Sequence, residues 1–393
     1  MNEPLKDLPL PERIRSRIVD NGNGLAMHVL EAGFETSGRP CIVLLHGFPE
    51  LAYSWRKLML PLADAGYRVI APDQRGYGRT TGGDASYGTN DLDAFAFPNL
   101  VRDVLGLLSA LGIGRVAAVV GHDFGSPVAA WCALIRPDVF AAVVMMSAPF
   151  AGPPTFAFGG ASDDLPHEPA ESPAAAMAHA VAGLATLTPP RKHYQWYYSG
   201  PQANDDMLRA PQGLAAFLRA YFHMKSADWS GNQTHPLKEM SAQELAQLPA
   251  YYVMQADRTM PETVAEHMPD AEHVARCAWL SDDELAIYAS EYARTGFQGG
   301  LNWYRCGTDE RFVAALRLWS GCTIDVPACF IAGSSDWGVY QRPGDVEQMR
   351  VRVCTRFRNV HLIEGAGHSV QQEQPKTVAN RIVRFLRQES PDF

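Results

Sequence analysis

Short apolar runs, each closed by a turn signal, recur through the first third of the chain and again near its end. Residues 41–45, 68–71, 116–120, 141–146, 328–332 and 360–363 show little alternation of apolar and polar positions. That is the pattern of strands buried on both faces of a parallel sheet. Ahead of them, 13–20 and 25–32 flank the turn-rich Asn21-Gly22-Asn23-Gly24 and read as a β-hairpin. Between the apolar runs the spacing turns helical, as in 99–111, where Leu100, Val104, Leu107, Leu108 and Leu111 share one face. Strand alternating with helix predicts a doubly wound, mostly parallel α/β sheet.

The alternation stops between Pro149 and about Arg311. A proline- and glycine-rich passage, 148–173, leads into helical patterns at 174–187, 205–224 and 282–292, the last opened by a capping box of Ser281 with Glu284. No buried strand is expected among them, and 227–276 carries mixed signals that assign to no element. At 393 residues the chain exceeds the usual single domain. The expected division is an α/β core over 1–149 and 311–393, with a mainly helical cap, 150–310, inserted into it.

Composition narrows the function. An apolar fraction of 47% suits a full core, and a net charge of −9 with no polybasic run argues against nucleic acid or an anionic membrane as partner. Seven cysteines without a C-x-x-C suggest neither a disulfide framework nor a zinc site, and most lie in apolar segments, as Cys41, Cys132 and Cys329 do. The first residues lack the apolar stretch of a signal peptide, and no apolar run is long enough to span a bilayer. The expectation is a soluble, cytoplasmic protein.

The chemistry concentrates at 116–126, VAAVVGHDFGS, where an apolar run breaks into Gly121-His122-Asp123-Phe124-Gly125. This is the strand, sharp turn and helix of a nucleophile elbow, with a carboxylate where G-x-S-x-G would place serine. No G-x-S-x-G occurs in the chain. Alone, Asp123 would read as a helix cap rather than a nucleophile; its companions reverse that and point to catalysis. Asp336 and His368 each follow a predicted strand, in the chain order nucleophile, acid, base. Asp325 and Asp345 are rivals for the acid. Leu45-His46-Gly47-Phe48-Pro49-Glu50 also follows a strand, so the backbone N–H groups of Phe48 and Phe124 can converge as an oxyanion hole. His46 is expected to hydrogen-bond within its loop, and His122 to point away from the site.

HGFPE, GHDFGS, Asp336 and Gly367-His368 together resemble the epoxide hydrolases of the α/β-hydrolase fold, close relatives of the haloalkane and fluoroacetate dehalogenases. The segment 295–305, TGFQGGLNWYR, is similar to the one whose tyrosine reaches the epoxide oxygen, which implies that role for Tyr304. HYQWYY, 193–198, is similar to the other tyrosine segment and suggests Tyr194, with Tyr197 and Tyr198 as competitors. Gln195 and Trp303, beside these tyrosines, are implied substrate contacts. The resemblance implies a small-molecule epoxide and water as reactants and neither a metal nor an organic cofactor. It also leaves two alternatives, a dehalogenase using the same aspartate and a non-catalytic binder on the hydrolase scaffold. Phe124 stands where these families commonly carry tryptophan, so no indole N–H is available to hold a halide. The arginine that fluoroacetate dehalogenases place after the nucleophile is missing as well.

Overall fold

The computed structural model describes residues 5–156 and 173–389. In chain order the strands are β1 (Ile14–Asp20), β2 (Ala26–Ala32), β3 (Cys41–Leu45), β4 (Arg68–Pro72), β5 (Ala118–His122), β6 (Val143–Met146), β7 (Arg191–His193), β8 (Val253–Gln255), β9 (Ala328–Gly333) and β10 (Phe357–Ile363). Eight of them form one sheet in the order β1-β2-β4-β3-β5-β6-β9-β10. The hairpin strand β2 runs antiparallel to β4, and every pair from β4 to β10 is parallel. Strands β3, β5, β6 and β9 are buried at every position, which is why they read as unbroken apolar runs. Helices Arg56–Asp64 and Pro375–Glu389 cover one face, Phe97–Ala110 and Gly125–Ile135 the other, giving the expected doubly wound core.

Between β6 and β9 no described strand joins this sheet. The chain instead builds a cap of helices, including Leu214–Lys225, Asp282–Thr295 and Gln298–Thr308, and the capping box of Ser281 with Glu284 forms as expected. Two expectations for the cap need correction. β7 and β8 pair antiparallel inside it, three residues each and too short to leave a period in the sequence. The helix expected over 205–224 is two, Ala203–Leu208 and Leu214–Lys225, parted at Pro211 and at Gly213, whose φ is 86°. Most of the passage expected to lead into the cap, 157–172, lies outside the described residues.

Close backbone contact seats the cap helix Gln298–Thr308 on the core. A Cβ on Gly299 would collide with the carbonyl oxygen of Gly76, so glycine there lets the helix descend onto the sheet's rim. The seven cysteines are free, five of them buried, and none of the described helices is long and apolar enough to cross a membrane.

The junction of β5 with its helix is equally tight, because a Cβ on Gly125 would strike the carbonyl oxygen of Leu45. Gly125→Ala is expected to cost about 3 kcal/mol, the upper end for overpacking, read as a lowered urea midpoint. Gly114→Ala, with nothing within 4 Å of the new methyl, should leave the midpoint in place.

Candidate active site

Asp123 sits between β5 and helix Gly125–Ile135 with φ 52°, a left-handed conformation that non-glycine residues rarely adopt. The strained turn lifts its carboxylate above the ends of the strands. Oδ1 accepts the Phe48 N–H at 2.8 Å, and Oδ2 lies 3.1 Å from His368 Nε2. The other ring nitrogen, Nδ1, donates to Asp336 Oδ1 at 3.0 Å. Asp336 follows β9 and is 1% exposed; His368 follows β10 and is 5% exposed. Three residues from three loops thus meet in one chain of hydrogen bonds. The rival Asp325 instead binds Thr323 and Thr355 at the surface.

The charges in this chain hold one another. Burial raises the pKa of Asp123, but the hydrogen bond and charge of His368, with Lys225 and His122, outweigh it and keep the carboxyl well below the usual range. Burial and Lys225 oppose the His368 imidazolium; Asp336 and the two carboxylate hydrogen bonds outweigh them and raise its pKa to about 9. The resting site therefore holds a proton on His368 at neutral pH, between two carboxylates.

A cavity of about 300 Å³ opens over Asp123, walled by apolar side chains such as Phe97, Trp131, Phe150 and Phe312. Tyr194 and Tyr304 line it from the cap, their ring centres 5.9 Å apart. The Tyr194 hydroxyl donates to Gln341 Oε1 at 3.1 Å and accepts from Gln195 Nε2 at 3.2 Å. Burial, reinforced by Asp123, raises both phenols far above their ordinary pKa, so both are protonated donors. The competitors face elsewhere: Tyr197 donates to Asp206, and Tyr198 to the hydroxyl of Tyr221. Gln195 is on the cavity wall. Trp303 is not; it lies behind the wall, 1% exposed, with its indole N–H donated to the Arg75 carbonyl oxygen at 3.1 Å. Phe124 packs its ring on Tyr304, with centres 4.9 Å apart. Among the described residues the Phe48 N–H donates to Asp123, whereas the Phe124 N–H makes no hydrogen bond to that carboxylate.

Two supporting groups escaped the sequence reading. Glu50, buried and with its pKa held low by His122 and His368 against burial, bonds His122 Nδ1 at 2.8 Å, and His122 Nε2 donates to the His368 carbonyl oxygen at 2.7 Å. The other group clips the cap to the histidine loop. Glu373 Oε2 accepts N–H groups from Gly367 and from Ala227 of the cap, and the His368 N–H donates to the Lys225 carbonyl oxygen at 2.7 Å. His46, as expected, stays in its loop, bonded to Gly47 and Gln74. No group of His, Cys, Asp and Glu among the described residues is arranged to hold a metal ion.

Known proteins match this chain throughout. Residues 40–172 fit the family described as the alpha/beta hydrolase fold. Epoxide hydrolase A of Mycobacterium tuberculosis is 33% identical over 380 residues, which cover 94% of this chain and 96% of that protein. The chain belongs to the epoxide hydrolases of the α/β hydrolase fold. An epoxide hydrolase of Caballeronia sordidicola is 31% identical over 93% of the chain and 92% of its own length. Among solved structures, an epoxide hydrolase from an endophytic Streptomyces superposes with a TM-score of 0.72 at 28% identity, covering 96% of both chains. A laboratory-evolved variant of potato epoxide hydrolase gives 0.69 at 30% identity, covering 95% of this chain and 99% of its own.

The raised His368 pKa can be read directly in this epoxide hydrolase. The imidazole ring protons of His368 should titrate near pH 9 in the substrate-free protein. Asp336→Asn removes a charge that favours the imidazolium, so the midpoint should move down, as followed by NMR of ring-labelled histidine.

Proposed function

We propose that this epoxide hydrolase opens organic epoxides to vicinal diols through an ester on Asp123, and that Tyr304, Tyr194, His368 and Asp336 carry the proton transfers. The observation that supports this most directly is the opposition of groups across the cavity. A carboxylate fixed by Phe48 and His368 stands below, and two protonated phenols stand above. A carboxylate oxygen of Asp123 attacks a ring carbon, the carbon–oxygen bond of the epoxide breaks, and a phenol proton meets the oxygen as it becomes an alkoxide. Water, deprotonated by His368 Nε2, then adds to the ester carbonyl carbon. The Phe48 N–H holds the oxyanion, and collapse releases the diol while the oxygen from water stays on Asp123. The apolar walls suit an epoxide with an apolar body.

A dehalogenase would use the same aspartate, but a halide leaves without a proton, so two buried phenols would have no task. A binding protein would need no aligned Asp336 and His368.

His368→Gln tests the covalent path. It should still alkylate Asp123 with styrene oxide, and the ester should then persist for want of a base, so that the intact-protein mass rises by one epoxide. Turnover at the parent rate would remove His368 from the reaction.

Removing the phenols tests the acid side. Losing one positioned donor typically costs on the order of a hundredfold, so Tyr304→Phe should slow alkylation about that much. Adding Tyr194→Phe should nearly abolish it, as read by stopped-flow tryptophan fluorescence. Circular dichroism should be unchanged, because only hydroxyls are lost.

A further inference from the structure

The cap helix Leu214–Lys225 ends on a lysine that the reaction above does not use, although it lies at the back of the site. Lys225 is 5% exposed, and its Nζ stands 5.3 Å from the ring centres of Tyr221 and Tyr252 and 6.0 Å from that of Tyr251. Among the described residues it makes no ion pair, so aromatic faces cradle its charge. Its backbone carbonyl holds the His368 N–H, which fixes the lysine against the histidine loop. Burial works against this ammonium, but Tyr221, Asp123 and Asp336 outweigh it and keep it protonated. A buried cation without an ion pair is expensive, and the charges of Asp123, Asp336 and His368 act on this one across the backbone bond that ties Lys225 to the histidine loop.

The reaction poses a problem that this charge solves. In the resting site the imidazolium of His368 is held by two carboxylates, yet a base for water must be neutral. We propose that Lys225 is the counter-charge that makes His368 a neutral base once Asp123 has become an ester. In the resting state Lys225 and the imidazolium balance Asp123 and Asp336. Alkylation consumes the negative charge of Asp123, and the phenol that protonated the alkoxide is left as phenolate. The imidazolium proton returns to that phenolate, after which Asp336 and Lys225 balance each other and His368 is uncharged. Without the lysine, Asp336 alone would face His368 and hold the proton on it. The other titratable groups near the imidazole are bonded to partners of their own. Glu50 bonds His122, whose ring lies 5.0 Å from that of His368. Burial pushes the Glu373 carboxyl up to about 7 against two backbone N–H groups, so its titration is common to the parent and to Lys225→Met, and Asp228 accepts the Trp279 indole N–H. Lys225 is thus a positioning residue, acting on protonation through His368. The inference rests on Asp123 being the alkylated group.

The test is the pH profile of ester hydrolysis after stopped-flow mixing with styrene oxide. Lys225→Met should move the midpoint up by at least about one unit, so that hydrolysis at pH 7 slows at least about tenfold and recovers by pH 9. Lys225→Arg should return the profile toward the parent. A midpoint unchanged in Lys225→Met, or a loss equal at every pH, would overturn the proposal and leave the lysine a packing group. A second measurement needs no lysine variant. In Asp123→Asn the amide carries no charge, as the ester carries none, so His368 should titrate well below its resting midpoint by NMR. A histidine still cationic at pH 8 there would also overturn it. Failure of the parent protein to form diol would count against the nucleophile reading instead, and an NMR titration of His368 in Lys225→Met would still report on the lysine.

Discussion

A carboxylate withdrawn from water at the end of a strand costs several kcal/mol unless other charges and donors meet it, and the architecture around Asp123 answers that demand. The left-handed turn that projects the side chain is possible because glycines on either side allow the strand, helix and HGFPE loop to touch. The same closeness brings the Phe48 N–H to one oxygen and His368 to the other. Asp336 then shares the imidazolium, and Glu50 with His122 braces the histidine's backbone from behind. A group that would destabilise the fold if left alone thereby keeps its charge while little solvated, as the proposed nucleophile must.

Much of this was legible because it rests on local geometry. Strands buried on both faces must be apolar throughout, and an elbow must have its glycines, so β3, β5, β6, β9 and the Asp123 turn all show in the sequence. The cap was less legible. Three-residue strands carry no period, and the break at Pro211 to Gly213 was absorbed into one long amphipathic pattern. Trp303 and Tyr304 are adjacent in sequence, yet successive helical residues point about 100° apart. Only Tyr304 reaches the cavity, while Trp303 pins the helix to Arg75.

Lys225 and Glu50 mark the other limit. A lysine in the last turn of a helix is ordinarily a solvated group that suits the helix dipole, and nothing local separates this one from that default. Two of its three aromatic partners, Tyr251 and Tyr252, come from the stretch of the cap that assigned to no element. Glu50 stood in plain view within HGFPE, but its partner His122 was read only as pointing away from the site. The meaning of a buried charge is set by what folds around it, and those neighbours come from distant segments.

The bond from the His368 N–H to the Lys225 carbonyl oxygen, with Glu373 bridging Gly367 and Ala227, makes the cap more than a cover. The loop that bears His368, the proposed base, is fastened to a segment of the cap, so its position depends on both parts of the chain. A cap exchanged between relatives to alter the cavity would carry the anchor of the histidine with it. The transplantable unit is therefore a cap that keeps the turn from Lys225 to Ala227 in register with Gly367, so that the cavity walls can change while the histidine loop keeps its anchor.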